Sequence, residues 1–286
     1  MTQVILLSPS IDCVEAKPVP PPTAAPGAGS ANDARKEVRS WYLDPLAAEQ
    51  KRHIFLSWIQ NCPGVSSPGR VLKTDLFEEA NNRDQILWDL YPDAGLRLGI
   101  ELEPGTAARA AARCPDSVAR CLAADVRALP LPDESVDVIV STSTLDHFAR
   151  EADLRASIEE LARVLRPGGR LFLILDNPRN PLHPLLCWFS RRGWFPFFIG
   201  RTLSASATSS QLASVGLETH SVEWLIHNPR LISTVLFLVL RRLLGRYADA
   251  PIRMLLALFA LMGKTPLRSW TACFHATIAI KPASMR

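Results

Sequence analysis

Among the 286 residues there is no Cys-x-x-Cys pair: Cys13, Cys62, Cys114, Cys121, Cys187 and Cys273 are scattered. That spacing excludes a zinc knuckle and a small disulfide scaffold; reduced thiols are the plain reading and no metal is expected. Apolar runs of the ~20 residues a spanning helix needs are missing as well. Leu231 to Leu240 is ended by Arg241 and Arg242, and Ile252 to Met262 is short. The first residues lack a charged leader and Val4 to Leu7 is too short for a signal core, so a cytoplasmic protein is expected, at most peripheral on the inner face of the membrane. A dense basic stripe is absent too, and a net charge of +4 over this length argues against nucleic acid as a partner.

What is present is an ordinary globular composition, 48% hydrophobic, with chain enough for one large core. Residues 1–36 hold a Pro/Ala-rich segment that reads as a flexible tail, and residues 37–286 read as one domain. A helix is expected over residues 38–60, with Pro45 in a first turn. From Arg70 onward, short apolar runs alternate with helical stretches. Strands are expected at Val71 to Thr74, Arg97 to Leu102, Ala119 to Ala124, Val136 to Ser141, Gly169 to Asp176, Leu217 to Leu225 and Phe274 to Lys281. Helices are expected at Asp84 to Tyr91, Gly105 to Arg113 and Asp153 to Leu165. This rhythm predicts an α/β fold with a mostly parallel sheet and helices on both faces. Its ligand should sit at the carboxyl ends of the strands, just after Val71, Ile100, Ala123 and Val140.

Four segments between about residues 68 and 225 carry a resemblance. Leu98-Gly-Ile-Glu101 is a strand ending in an acid. Leu122-Ala-Ala-Asp125-Val-Arg-Ala-Leu-Pro-Leu-Pro-Asp133-Glu-Ser-Val-Asp137 is the most specific of the four. Ser141-Thr-Ser-Thr-Leu145-Asp-His147 follows, and then Leu161-Ala-Arg-Val-Leu-Arg-Pro-Gly-Gly-Arg-Leu-Phe-Leu. Together they resemble the class I S-adenosylmethionine-dependent methyltransferases, whose fold is a Rossmann-like seven-stranded sheet. The resemblance implies S-adenosyl-L-methionine as cofactor, Glu101 accepting from both ribose hydroxyls, Asp125 accepting from the adenine amino group and the Val126 N–H donating to a ring nitrogen. An ionised carboxylate suits a diol because it can accept two short bonds. Ser141 falls at the cofactor end of its strand, and Asp146 and His147 are the acid/base candidates. Singly, each of these acids is more often a solvated strand-end residue, and a lone histidine after a strand is often only hydrogen-bonded; it is the joint placement at neighbouring strand tips that favours function.

The first segment departs from the pattern. Where the family reads Val-Leu-Asp-x-Gly-Cys-Gly-Thr-Gly, this chain reads Val71-Leu-Lys73-Thr-Asp75-Leu-Phe77-Glu-Glu, without any glycine. Phe77 and Glu78 would fill space on the family's course, so another course is expected, with Asn81 and Asn82 supplying a late tight turn. Three outcomes stay open. Asp75 replaces the missing acid at the cofactor, or Lys73 faces an anion on a different nucleoside or nucleotide, or the pocket is vestigial.

Residues 181–205 and 228–269 read as hydrophobic helical lid insertions on a core of residues 68–180, 206–226 and 271–282. The second holds two short apolar helices with arginines at their ends, which read either as a hairpin dipping into an anionic membrane surface or as a buried cap. The leading function is methyl transfer to a small hydrophobic or lipid-like acceptor. The rivals are another nucleoside-dependent transferase on the same fold and an inactive, membrane-associated partner protein. Residues 1–176 carry 19 basic and 25 acidic side chains, whereas residues 177–286 carry 13 and 3. The near-neutral total therefore conceals a basic, greasy second part.

Overall fold

The computed structural model describes residues 43–283, except 66, 82–83, 116 and 195–197. The expected tail, and the start of the helix expected from residue 38, lie outside the described residues. Helix α1 (Pro45–Gln60) begins where Asp44 accepts from the Leu46 N–H at 2.9 Å and Pro45 fills the first turn, the position where its missing N–H costs nothing.

The sheet has seven strands: β1 (Arg70–Thr74), β2 (Leu96–Glu101), β3 (Ala119–Ala123), β4 (Val136–Thr142), β5 (Leu165–Asp176), β6 (Glu218–Leu225) and β7 (Phe274–Ile280). Their spatial order is β3-β2-β1-β4-β5-β7-β6. The first five run parallel, and β7 lies antiparallel between β5 and β6. Strand β4 is buried along its whole length, as a central parallel strand covered on both faces must be. Successive residues point to opposite layers: Val138, Val140, Phe172 and Ile174 pack with α1, while Ile139, Leu171 and Leu173 pack on the other side. On the first side Trp58 meets Phe172 edge-on at 5.4 Å. Edge strand β6 is largely exposed and polar, which suits a strand with one unpaired border.

Helices α2 (Phe77–Asn81) and α3 (Pro104–Ala111) share the layer of α1, whereas α4 (Glu151–Val164) and α6 (Ala205–Ser214) cover the opposite face. Helix α5 (His183–Arg191) follows β5. Helices α7 (Arg230–Leu244), α8 (Asp249–Leu261) and the single turn α9 (Arg268–Thr271) fill the long connection from β6 to β7.

Two expectations need correction. The helix expected over Asp84 to Tyr91 is only a 3-10 turn at Leu87–Asp89. Glu79 Oε1 accepts from the N–H groups of Ile86 and Leu87 at 3.2 and 3.0 Å, and Asp84 and Tyr91 both take positive φ, so a side chain satisfies donors that a longer helix would have used. Helix α4 ends at Val164, before Pro167, and the chain enters β5 directly at Leu165. The turn still needs Gly168, whose φ is +77°. Asp137 ties two strand starts together: it accepts from the Arg70 N–H at 2.5 Å and pairs with Arg166.

Among the described residues no helix is long and apolar enough to cross a membrane. Helices α7 and α8 pack through Phe237, Ile252 and Leu256 onto Leu46 and Ala47 of α1. Arg241 clamps this arrangement by bonding Asp44 at 2.8 Å and pairing with Asp249. One side of each helix is thus buried against α1, and the opposite side is exposed.

Candidate active site

At the carboxyl ends of β1, β2, β4 and β5 lies a cavity of about 420 Å³, bounded by the loops after those strands and by α1, α5 and α7. That volume falls in the usual range of small-molecule sites, ~300 to 1,000 Å³. Its polar wall includes Asp75, Glu78, Glu101, Asp146, His147 and Asp176. The facing wall is greasier, with Ala47, Leu186, Ile199, Phe237 and Phe274.

The glycine-free loop is held by local chemistry. Asp75 stands where the family pattern has its first glycine, and its φ is +69°. Aspartate enters the left-handed region more readily than most side chains, and its Oδ1 accepts from the Phe77 N–H at 2.7 Å to start α2. A tight turn therefore falls here, ahead of α2. Asn81 is helical, with its amide donating to the Phe77 carbonyl at 2.7 Å, and Asn82 lies outside the described residues.

Lys73 does not face the cavity. Its ammonium is buried beneath the loop, donating to Glu79 Oε2 at 2.9 Å and to the Asp75 carbonyl at 2.5 Å. A cation neutralised in this way is not presented to an anionic ligand, which corrects the reading of Lys73 as an anion partner. Ser141 is fully buried in the seam between β1 and β4, where it accepts from Thr74 Oγ1 at 2.9 Å. The cavity wall is formed instead by the next two residues, Thr142 and Ser143.

Glu101 reaches the cavity as expected. Its Oε2 accepts from the Leu76 N–H and its Oε1 from the Glu103 N–H, both at 3.1 Å. A carboxylate has about four acceptor positions, so the tip of β2 is fixed in place with capacity left over. Burial, together with Glu78 and Glu101 close by, pushes the Asp75 carboxyl up to about 7. Lys51, from α1, reaches Glu78 at 3.1 Å and Asp84 at 2.6 Å. Burial opposes ionisation of Glu78, but Lys51 and Lys73 outweigh it and hold that carboxyl down to about 2.

Asp125 and Val126 are not brought to the cavity. Both Asp125 oxygens take the guanidinium of Arg127, at 2.6 to 3.1 Å, and Oδ1 also accepts the Arg127 N–H at 2.9 Å. Arg127 continues to Asp153 at 2.7 Å, and Val126 is buried in the core. The carboxylate expected to meet an adenine amino group thus has an internal cation on it, supplied two residues further along.

Asp146 and His147 both line the cavity, on a 3-10 turn at Leu145–His147. Gly200 allows the turn to sit there, since a side chain at Gly200 would collide with the backbone oxygens of Phe148 and Asp146. Asp146 Oδ2 accepts from the Asp176 N–H at 2.7 Å. Burial, and then the neighbouring Asp176, pushes the Asp146 carboxyl up to about 7. Asp176 is itself paired with Arg230 at the start of α7, whose guanidinium also lies 4.4 Å over the Phe274 ring. His147 Nδ1 lies 2.5 Å from the Phe198 carbonyl. A carbonyl can only accept, so Nδ1 carries the hydrogen and Nε2 is left as the acceptor of the neutral ring.

Lys51, Glu78, Asp84 and Arg230 were invisible as site residues in the sequence. Lys51 sits in an unremarkable amphipathic helix, and Arg230 opens a segment that reads as lid. Only the absence of glycine at 75–79 signalled that neighbouring side chains would have to build the loop.

Residues 88–173 match the family model described as "Methyltransferase domain". The match covers β2 to most of β5 and starts after the glycine-free loop. A Mycolicibacterium smegmatis protein named "Probable S-adenosylmethionine-dependent methyltransferase" is 30% identical over 151 residues, 49% of this chain and 50% of that protein. A Mycobacterium tuberculosis protein of the same description is 31% identical over 118 residues, 38% of this chain and 36% of its own length. The chain thus spans about half the length, or less, of these curated relatives. Among solved structures, a geranyl diphosphate methyltransferase in complex with its cofactor superposes with a TM-score of 0.53 at 14% identity, covering 82% of this chain and 86% of that one. Phosphoethanolamine N-methyltransferase 2 of Haemonchus contortus gives 0.54 at 14% identity, covering 85% of this chain and 56% of that one. Residues 88–173 thus match a methyltransferase domain, and the relatives and the strand order make the chain similar to the class I S-adenosylmethionine-dependent methyltransferases.

Proposed function

We propose that the chain transfers the methyl group of S-adenosyl-L-methionine to a small hydrophobic or lipid-like acceptor held in the cavity between the strand tips and α7. The observation that carries this reading is the two-sided lining. Glu101 and Asp75 stand together on one side, while Ala47, Leu186, Ile199, Phe237 and Phe274 give the cavity its apolar lining, beside the polar side chains of Lys51, Arg230, Ser233 and Thr234.

The cofactor presents a ribose diol, a cationic sulfonium and an ammonium. The residues present suit those groups: Glu101 has acceptor capacity for the diol, and Asp75 and Asp146 offer negative charge to the cationic half. At the adenine end the fit requires Arg127 to share Asp125 or to release it. When bound, the cofactor supplies an already activated methyl group, so alignment of the acceptor accounts for most of the acceleration and a base is needed only where the acceptor loses a proton. Asp146 takes that proton, and His147, with Nε2 facing outward from its Phe198 anchor, orients the acceptor.

Calorimetric titration with S-adenosylmethionine and S-adenosylhomocysteine is the direct test. Saturable binding that Glu101→Ala weakens is the expected result; no heat at high micromolar ligand overturns the reading.

A further inference from the structure

Helices α7 and α8 are apolar on the side turned away from the protein. On α7 the residues facing inward are Ser233 and Phe237, whereas Ile232, Val235, Val239 and Leu243, repeating every three or four residues, face outward. On α8, Ile252 and Leu256 are buried while Met254, Leu258 and Leu261 face out. Exposure reaches 75% at Leu243, 67% at Met254 and 62% at Val235, values that a helix sealed inside a cap would not show. An ordinary surface helix has the reverse polarity, and an outward apolar stripe across two adjacent helices marks an interaction surface.

Charge identifies the partner. Residues 228–269 contain one acid, Asp249, and it is already engaged by Arg241. Arg242, Arg246, Arg253, Lys264 and Arg268 are exposed around the two helices. At the turn between them, Arg246 stacks 4.9 Å over the ring of the exposed Tyr247. An apolar face bordered by long cationic side chains and an amphipathic aromatic is the pattern of a helix lying in a lipid interface, with apolar residues below the headgroups and basic ones among them. With 15 and 13 residues both helices are too short to span a bilayer and long enough to lie in one leaflet.

We infer that the outer face of the α7–α8 hairpin docks on an anionic lipid bilayer. The inner side of α7 supplies Ser233, Thr234 and Phe237 to the cavity, so the same helix faces lipid on one side and the methyl-transfer site on the other. A lipid-like acceptor passing from the leaflet would have to cross only one helix diameter. The docking itself does not depend on the methyltransferase reading.

The test is co-sedimentation of the full chain with vesicles of phosphatidylcholine alone and of phosphatidylcholine mixed with phosphatidylglycerol, at low and high salt. Pelleting is expected with the anionic vesicles and should weaken as salt rises. The exposed-site double variant Leu243→Glu/Met254→Glu should reduce the bound fraction about tenfold or more, and Arg242→Glu/Arg246→Glu should remove the preference for anionic lipid. Both variants should keep the thermal unfolding midpoint and the S-adenosylhomocysteine titration of the parent, so a failure of docking is distinguishable from a failure of cofactor binding. Absence of pelleting at low salt, or pelleting indifferent to Leu243→Glu/Met254→Glu, overturns the inference. So does a dimer in light scattering that this variant disperses, since a second copy would then cover the face.

Discussion

Lys73 and Glu79 form an ion pair inside the core, Nζ to Oε2 at 2.9 Å, with both side chains excluded from solvent. Burial works against the Lys73 charge, but Glu79 and its neighbours outweigh it and hold the ammonium above its ordinary value. The pair binds the end of β1 to the helical turn that follows and substitutes for the compact glycine turn of the family. Removing one partner leaves a buried charge unmatched, at a cost of about 3 to 5 kcal/mol. Lys73→Met and Glu79→Gln should each lower the urea midpoint accordingly, while the double variant should recover part of the loss. Additive losses would show that the two groups act independently.

Glu101 and Asp125 should separate in a binding experiment. Glu101→Ala removes a cavity-lining acceptor and should weaken S-adenosylhomocysteine binding by about 1 to 3 kcal/mol, the range for charged hydrogen bonds. Asp125→Ala should weaken it less and should lower thermal stability, because it leaves Arg127 without its nearest carboxylate. Equal losses in titration calorimetry would mean that Arg127 yields Asp125 to the ligand.

Asp146 gives a pH signature. Its carboxyl titrates at about 7 in the folded protein against about 3.9 in an unfolded chain. Between those values the folded state holds a proton that the unfolded state has lost, so stability falls as pH rises through that window. Asp146→Asn should flatten this decline, which urea midpoints at about pH 5 and about pH 8 would detect. If Asp146 accepts a proton from the acceptor, the rate should rise with pH through about 7, and the variant should lose about 10²- to 10⁴-fold of it. A parent rate insensitive to pH across that range would remove Asp146 from the chemistry.

Gly200 should resist substitution. A Cβ there would lie 2.3 Å from the Phe148 carbonyl oxygen and 3.0 Å from that of Asp146, both backbone atoms that cannot rotate away. Gly200→Ala should cost about 1 to 3 kcal/mol as overpacking does and should disturb turnover more than cofactor affinity, because the displaced turn carries Asp146 and His147. A crystal structure of the variant with the turn unmoved would contradict this.

Much of the sheet was legible because buried parallel strands read as continuous apolar runs; Val136 to Ser141 needed only one more residue at its end. Glu101, the last residue of β2, and Asp146 and His147, a few residues beyond β4, line the cavity because the strand ends point there. Lys73, Asp125 and Ser141 were misjudged because position along a strand does not reveal which way a side chain is drawn. A carboxylate six residues away took Lys73, an arginine two residues away took Asp125, and a hydroxyl on the neighbouring strand took Ser141. The helix expected over Asp84 to Tyr91 failed for a related reason, since Glu79 capped its first donors. Those partners belong to tertiary structure, and apolar periodicity carries no record of them.

The antiparallel strand β7 is the last of the seven along the chain, yet it lies between β5 and β6. During synthesis β6 therefore leaves the ribosome before the strand that will hold it, and must wait while α7, α8 and α9 are made. Until Phe274–Ile280 emerges, β5 and β6 both present open borders, and the greasy hairpin is tethered to a half-built sheet. A nascent chain stalled before residue 274 should be the species most in need of a chaperone.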